Sequence, residues 1–307
     1  LIKKLIKKKP NLVIMLDCGS NSYETIEFLK KKDIKCLVID HHDIHKPYPE
    51  SNCLINPKKD CDYSDFDYLC SSSLTYFFID SLITKKKDKS FFDKNLMFVL
   101  LASLCDVMPL RKLNRLIAIK IFNNLTYYND YFFKKIFEIK KINRKIEIYD
   151  LTFLIGPIIN SAGRLNDANI VITLMTTDNY KIKDRLINKL IQTNEKRKKI
   201  EENFFKNLNF DKIKKLKDNV IIINENSLNE GIIGIIASKL KEYFYKPSIV
   251  LSNNYNELNE LKASARSTLN FNIGKFIKQA IDMQIILKGG GHNLAAGFSL
   301  EKNKLVK

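Results

Sequence analysis

The stretch CLVIDHHDIHKPYP, residues 36–49, joins a short apolar run to a cluster of acidic and imidazole side chains. The run CLVI does not alternate with polar residues, which is typical of a parallel strand covered on both faces. Asp40, His41 and His42 follow it directly, and with His45 the stretch holds three of the chain's four histidines. Three polar side chains at the end of a buried strand lose hydration together, which favours a functional site. His45 lies in a loop bounded by prolines, and we predict a surface position for it.

An earlier apolar run, LVIML at residues 12–16, ends in the same way, with Asp17 in the sequence DCGS. A helical pattern over residues 23–32 separates the two runs, so the sequence predicts parallel strands joined by a helix. Ligands bind beyond the carboxyl ends of such strands, where Asp17 and the Asp40–His42 group are expected to meet. A single acid after a strand is more often a turn or a helix cap, and for Asp17 taken alone that alternative stays open.

Asp106 closes another predicted helix, in the sequence LCDVMPL at residues 104–110. Carboxylates together with imidazoles suit Mn²⁺, Mg²⁺ or a similar divalent ion, whereas a soft thiolate site would need cysteines. Ions bound in this way can activate a water and hold a phosphoryl group. We therefore expect Asp17, His41 and Asp106 to share a divalent metal, with His42 beside them.

The C-terminal third contains a second group of candidate ligands. GGGHNLAAG, residues 289–297, places Gly289, Gly290 and Gly291 before His292, and we expect an anion-binding nest of backbone N–H groups there. In KASARST, residues 262–268, Ser264 and Arg266 are two apart and share one face of an extended segment. Arginine is rare among the 52 basic residues, so Arg164 and Arg266 are candidate phosphate ligands. A mere turn and an ordinary strand edge are the alternatives.

The pattern of the whole chain predicts an α/β protein with two parts. Residues 183–208 lack Gly and Pro and keep a helical period, which indicates a long, partly exposed helix. A second set of strands and helices follows it. The predicted division is a parallel-sheet domain at 1–182, a connecting helix and linker at 183–217 and a smaller α/β domain at 218–307. The segments LIGPIINSAGRLNDA, KGGGHNLAAG and 211–218 are predicted to be loops or linkers.

The chain has a formal net charge of +18, and 45% of its residues are hydrophobic. It contains no apolar run long enough for a membrane span. The charge favours nucleic acid as a partner, although drift toward lysine would produce it equally well. None of the six cysteines forms a Cys-x-x-Cys pair, and no secretory signal is present. We therefore predict a soluble, cytoplasmic, monomeric protein without a membrane partner.

Seven stretches, LDCG, IDHH, LCDVMPL, GPIINSAGRL, GIIGIIASKL, ASARS and GGGHNLAAG, resemble in their order the RecJ-type single-strand-specific exonucleases of the DHH phosphoesterase family. The resemblance implies a DHH domain and a DHH-associated domain. It also implies a nuclease that degrades single-stranded DNA from the 5′ end in recombination and repair, with two Mn²⁺ or Mg²⁺ ions in the complete protein. It makes His41 a metal ligand, places His42 on the scissile phosphate or attacking water, and gives Asp40 a supporting role.

The chain also departs from the pattern of this family. An acidic Asp-x-Asp motif is usual before DCG, but residues 1–12 contain no acid, so we interpret the chain as a fragment that lacks its start and has little activity by itself. The oligonucleotide-binding domain that follows the glycine motif in RecJ proteins is not found before Lys307. Ile158 stands where many relatives have Arg, and Asn229 where His is usual. Two alternative functions stay open: a phosphodiesterase of short oligonucleotides or dinucleotides, and a non-catalytic DNA-binding scaffold.

Overall fold

The computed structural model describes residues 2–60, 64–84, 94–124, 130–165, 167–215, 217–254 and 257–305. The chain divides into two compact units, Leu1–Gly156 and Pro157–Lys307. The first contains a parallel sheet and the second a mixed sheet, each with helices around it. The predicted α/β class is confirmed.

Three parallel strands form the sheet of the first unit, in the order β1-β2-β3. The strands are β1 Leu12–Leu16, β2 Lys35–Ile39 and β3 Cys53–Ile55. The helices are α1 Ile2–Ile6, α2 Tyr23–Lys30, α3 Ser71–Leu82, α4 Leu96–Cys105, α5 Lys112–Asn123 and α6 Tyr131–Ile139, followed by a π-helix at Asp150–Ile155. Leu16 pairs with Ile39, and Ile39 with Ile55. The residues that follow these three strands therefore meet at one edge of the sheet, as predicted.

Coverage of the sheet differs between its strands. Val38 in β2 and Leu29 in α2 are fully buried together in one core cluster. In β1, by contrast, Leu12, Ile14 and Leu16 are each about half exposed while Val13 is buried. The expectation of strands covered on both faces is therefore wrong for β1 within the described residues, because its apolar side chains alternate between core and solvent.

The second unit has a five-stranded sheet in the order β4-β5-β6-β8-β7. The strands are β4 Ile221–Asn224, β5 Ser248–Asn253, β6 Glu260–Arg266, β7 Lys288–Gly291 and β8 Ala295–Glu301. The helices are α7 Gly156–Leu165, which starts at the unit boundary, α8 Asn169–Thr176, α9 Tyr180–Asn207, α10 Phe210–Lys215, α11 Glu230–Phe244 and α12 Ile273–Asp282. Strands β4 and β5 are parallel, and the other pairs are antiparallel.

Alternation along β6 separates an apolar face from a polar one. Leu261, Ala263 and Ala265 are buried in a cluster with Ile273 and Ile277 of α12. Since successive side chains point to opposite faces of a sheet, the residues that alternate with them face away from α12. They include Lys262, Ser264 and Arg266, and all three are half-buried. The extended segment predicted at KASARST is confirmed.

Two predicted loops are helical. GPIINSAGRL forms α7, which tolerates Pro157 because this residue lies in the first turn, where a missing N–H costs nothing. Residues 210–215 of the predicted linker form α10. The long helix predicted at 183–208 is confirmed as α9. Among the described helices, none has the length and apolarity required to cross a membrane.

Candidate metal centre and candidate phosphate groove

Asp17 lies in a strained turn at the end of β1. Its φ is 59°, and Gly19 follows with a φ of 118°. A Cβ on Gly19 would lie 2.8 Å from Val38 Cγ1, so both the backbone and the packing require glycine there. Asp17 N–H donates to Ile39 O at 3.0 Å, which ties the turn to β2. A non-glycine residue at positive φ is uncommon, and such strain concentrates at functional sites.

Asp40 is buried and holds the end of β2 in place. Its Oδ1 accepts hydrogen bonds from His41 N at 2.8 Å and from His42 Nδ1 at 2.7 Å, and its Oδ2 accepts from Ser20 N at 3.0 Å. Burial acts to raise the pKa of this carboxyl, but the bonds from His42 and Ser20 outweigh it and lower the pKa to about 2. Because Nδ1 of His42 is held by Asp40, Nε2 is the atom left to face a ligand.

His41 lies between two carboxylates. Its Nε2 is 3.4 Å from Asp17 Oδ1 and 3.9 Å from Asp106 Oδ2. The hydrogen bond with His41 lowers the pKa of Asp17, whereas burial, and then the charge of Asp17, raises the pKa of Asp106. The structure thus brings together the three residues that the sequence suggested as sharing a metal, and His42 lies beside them. Its ring centroid is 4.9 Å from that of His41.

Asp106 is positioned by the end of α4. Val107 has a φ of 55°, Met108 N donates to Ser103 O at 2.9 Å, and Val107 N donates to Leu104 O at 3.2 Å. This is the Schellman arrangement, which usually has glycine where Val107 stands. Asp106 is the C-cap of the helix, so its backbone is fixed relative to α4.

Asn56 is a positioning residue that the sequence did not reveal. It follows β3, is buried, and donates to Ser20 Oγ at 2.8 Å and to His42 O at 2.9 Å. It therefore links the turn after β1 to the histidine pair after β2. Its place directly after an apolar run is the signal that could have identified it, as for Asp17 and Asp40.

The residues present fit a divalent ion. Asp17, His41 and His42 each offer a ligand atom, and these atoms lie within 4.8 Å of one another. Asp106 adds a second carboxylate, 3.9 Å from the same Nε2 of His41. Two carboxylates and two imidazoles form a hard-to-borderline donor set of the kind that Mn²⁺ and Mg²⁺ accept. His45 is exposed, as predicted, and is not part of this group.

A groove of about 680 Å³ lies in the second unit. Its lining includes Arg164, Asn229, Glu230, Gly231, Lys262, Ser264, Lys288, Gly290, Gly297 and Ser299. Arg266 Nη1 donates to Ser264 Oγ at 3.2 Å, and Arg164 Nη1 donates to Gly231 O at 2.9 Å. Burial lowers the pKa of both guanidinium groups. Neither makes an ion pair with a carboxylate in the described part of the chain, so both are available to an anion.

His292 lies on the same face as Arg266 by register. Its N–H donates to Ala295 O at 2.8 Å, and Ala295 pairs with Arg266 across β8 and β6. The structure thus places the predicted phosphate ligands on one face of one sheet, with Arg164 on α7 beside the groove.

The expected glycine nest is wrong. Gly289, Gly290 and Gly291 belong to β7 and have no positive φ, whereas a nest needs alternating backbone conformations. Glycine is required for packing instead: a Cβ on Gly289 would lie 2.7 Å from Phe298 Cβ, and one on Gly291 would lie 2.4 Å from Ala296 Cβ. The segment predicted as a loop is therefore a tight hairpin.

The two departures noted at Ile158 and Asn229 have structural explanations. Ile158 is fully buried, so its own side chain packs in the core rather than facing solvent. Asn229 is the N-cap of α11, where its Oδ1 accepts from Gly231 N at 2.8 Å. Asparagine is among the best N-cap residues, and the substitution keeps the helix start intact.

Two family models match the chain: the DHH family, N-terminal domain, over residues 1–104, and the DHHA1 domain over residues 217–307. The single-stranded-DNA-specific exonuclease RecJ of Escherichia coli K12 is 28% identical over 313 residues, covering 95% of this chain and 54% of the relative. The protein of the same name from Bacillus subtilis 168 is 26% identical, covering 95% of this chain and 36% of the relative. The chain therefore spans about half the length, or less, of these curated relatives.

Among solved structures, RecJ from Thermus thermophilus in complex with Mn²⁺ has the same fold. Its TM-score is 0.80 at 20% identity, covering 99% of this chain and 44% of that one. A parallel sheet whose second strand ends in Asp-His-His, followed by a separate α/β unit, is the architecture of a DHH protein with a DHHA1 domain. The chain belongs to the DHH family and is a RecJ-like member of it, as the sequence motifs implied.

Proposed function

We propose that the chain contains the catalytic and strand-binding parts of a single-stranded-DNA-specific exonuclease, acting from the 5′ end in recombination and repair. The observation that carries the proposal is the carboxylate–imidazole cluster of Asp17, His41, His42 and Asp106 at the strand ends. The exonuclease names of the relatives support it. The cytoplasmic location, the monomeric state and the domain limits 1–182, 183–217 and 218–307 stay predictions.

The proposed cofactor is Mn²⁺ or Mg²⁺. Asp17, His41 and Asp106 would hold it, and the bound metal would supply an activated water and neutralise phosphoryl charge. The chain itself contributes positioning: Asp40 fixes the His42 ring, and Asn56 holds the backbone of His42. His42 is thereby set to contact the scissile phosphate or the attacking water through Nε2.

The proposed strand-binding residues are Arg164, Ser264, Arg266 and His292, which would bind the 5′ phosphate and adjoining backbone. Support comes from two half-buried arginines without carboxylate partners in the described residues, and from the hydrogen bond between Arg266 and Ser264. Gly289, Gly290 and Gly291 contribute by forming the flat hairpin beside them rather than by binding the anion as a nest.

The test has a metal arm and a strand arm. Mn²⁺ binding to residues 1–307, measured by titration calorimetry, should weaken by more than about tenfold in His41→Gln and Asp106→Asn. It should stay unchanged in Asp43→Asn, a matched control whose carboxylate pairs with Lys58 at the surface. Strand binding is measured in chelator, so that the DNA survives. Arg266→Ala should weaken binding of 5′-phosphorylated strands by about one to two orders of magnitude, and binding of 5′-hydroxyl strands much less.

Equal Mn²⁺ affinities in all the variants would refute the metal centre, and equal losses for both strand ends would leave Arg266 as a general backbone contact. Digestion is assayed on the full gene product with a length series of labelled strands. The reason is that we predict little digestion by residues 1–307 alone. Asp106→Ala should abolish cleavage and keep binding. Cleavage of short oligonucleotides alone would favour the phosphodiesterase alternative, and binding without cleavage would favour a scaffold.

A further inference from the structure

The strand register of the second unit places two lysines in one row on the polar face of the sheet. Lys262 of β6 pairs with Ser299 of β8, and Ser299 pairs with Lys288 of β7. Directly paired residues point to the same face, so both lysines flank Ser299 on the side away from α12. All three line the groove of about 680 Å³ described above.

The neighbouring row is the one that carries the predicted phosphate ligand Ser264. Ser264 pairs with Gly297, and Gly297 pairs with Gly290. The two rows are two residues apart along each strand, which corresponds to about 6.8 Å. That distance is comparable with the separation of successive phosphates along a single-stranded backbone. The lysine row is therefore one phosphate step from the row of Ser264.

The row that carries Ser264 is open at its two glycines. A Cβ on Gly290 would meet no atom within 4 Å, and one on Gly297 would meet only Ala263 O, at 3.8 Å. These two positions lack side chains where the fold leaves room for them. A ligand backbone can therefore approach the sheet closely at this point.

Lys262 and Lys288 each make no ion pair with a described carboxylate. Glu230 is the one described acid in the groove lining, which also contains Arg164, and Glu260 and Glu301 pair in the next row of the same face. Ser299 between the lysines is buried and carries no charge. An anion placed over Ser299 would be attracted by both ammonium groups.

We propose that Lys262 and Lys288 form a second phosphate subsite, which binds the backbone phosphate next to the one held at Ser264 and Arg266. The subsite rests on the proposed function, since it presupposes a single strand in the groove. The proposal predicts that the two rows bind two successive phosphates of one strand. A single nucleotide has one phosphate and does not engage both rows.

The test compares two double variants of the 1–307 chain in chelator. Lys262→Gln/Lys288→Gln removes the row, and Lys275→Gln/Lys278→Gln is the matched control. The control lysines are exposed on α12, on the opposite face of the sheet, and lose the same charge. The probes are a 5′-phosphorylated oligothymidylate and thymidine 5′-monophosphate. Strand binding is measured by fluorescence anisotropy at several salt concentrations. Nucleotide binding is measured by calorimetry.

The row variant should bind the strand about tenfold more weakly than the control variant does. Its plot of log affinity against log salt should be shallower by about 0.7, the value for one lost phosphate contact on a single strand. Its affinity for thymidine monophosphate should be unchanged. A strand affinity equal to that of the control would overturn the subsite, as would an equal loss for the mononucleotide.

Arg266→Ala separates failure of the subsite from failure of the proposed function. If Arg266→Ala weakens strand binding while Lys262→Gln/Lys288→Gln does not, the subsite is wrong and the proposed strand-binding groove is retained. If the unsubstituted chain does not bind the strand at all, both are wrong.

Discussion

Replacing Asp40 by asparagine tests the idea that this buried carboxylate organises the whole candidate metal centre. The change preserves shape and removes one acceptor atom and the charge. In the more favourable orientation the amide oxygen keeps the bonds from His41 N and His42 Nδ1. The amide NH₂ then faces Ser20 N–H. Both groups are donors, so no hydrogen bond can form between them.

The expected cost follows from these contacts. Ser20 is fully buried, so its unsatisfied N–H should cost about 1–3 kcal/mol. The two retained bonds change from a charged to a neutral acceptor and should each lose about 1 kcal/mol. Removing a buried charge recovers part of this sum, because its desolvation cost disappears. The net destabilisation should therefore be about 2–4 kcal/mol.

The assay is hydrogen–deuterium exchange in chelator, read on peptides that cover residues 17–42, together with urea unfolding. Asp43→Asn is the matched control, and as a surface ion pair with Lys58 it should cost less than about 1 kcal/mol. A ¹⁵N spectrum of the His42 ring provides a second readout, since the change from a charged to a neutral acceptor should shift the Nδ1 resonance. Equal stability losses in both variants, with an unchanged Nδ1 resonance, would refute the organising role of Asp40.

Two further predictions concern local stability in the first unit. Val107→Gly should raise the free energy of unfolding by about 1 kcal/mol, because an exposed valine at φ 55° is strained and glycine is not. Val107→Ala keeps the Cβ, and a comparable gain from it in urea unfolding would contradict this reasoning. The pKa of Asp150 is lowered chiefly by its paired hydrogen bonds from Arg144, at 2.7 and 2.8 Å, so the folded pKa lies below the unfolded one. The stabilisation should be complete above about pH 4 and decline as the pH falls through the folded pKa. Arg144→Gln should remove most of that decline, and an unaltered pH profile of unfolding would count against the pair.

The sequence was sufficient to locate the candidate metal centre because its signal is local. An apolar run followed by polar side chains marks the end of a parallel strand, and two such ends on adjacent strands must meet. This reasoning found Asp17 and the Asp40–His42 group, and it would have found Asn56 if applied to β3. The alternation in KASARST likewise fixed which of its residues share a face, because the period of a strand is two.

Features that depend on partners distant in the sequence were not predictable in this way. GGGHNLAAG has the composition of a loop, but the side chains of Phe298 and Ala296 exclude a Cβ at Gly289 and Gly291, and that crowding appears only once β7 pairs with β8. GPIINSAGRL has glycine and proline as breakers, yet a helix tolerates proline in its first turn, and the preceding π-helix leads directly into α7. Ile158 departs from the family pattern, but the burial of its side chain could not be predicted from one position in a motif. Composition and spacing describe what a residue can do, and the packing around it decides which of those possibilities is realised.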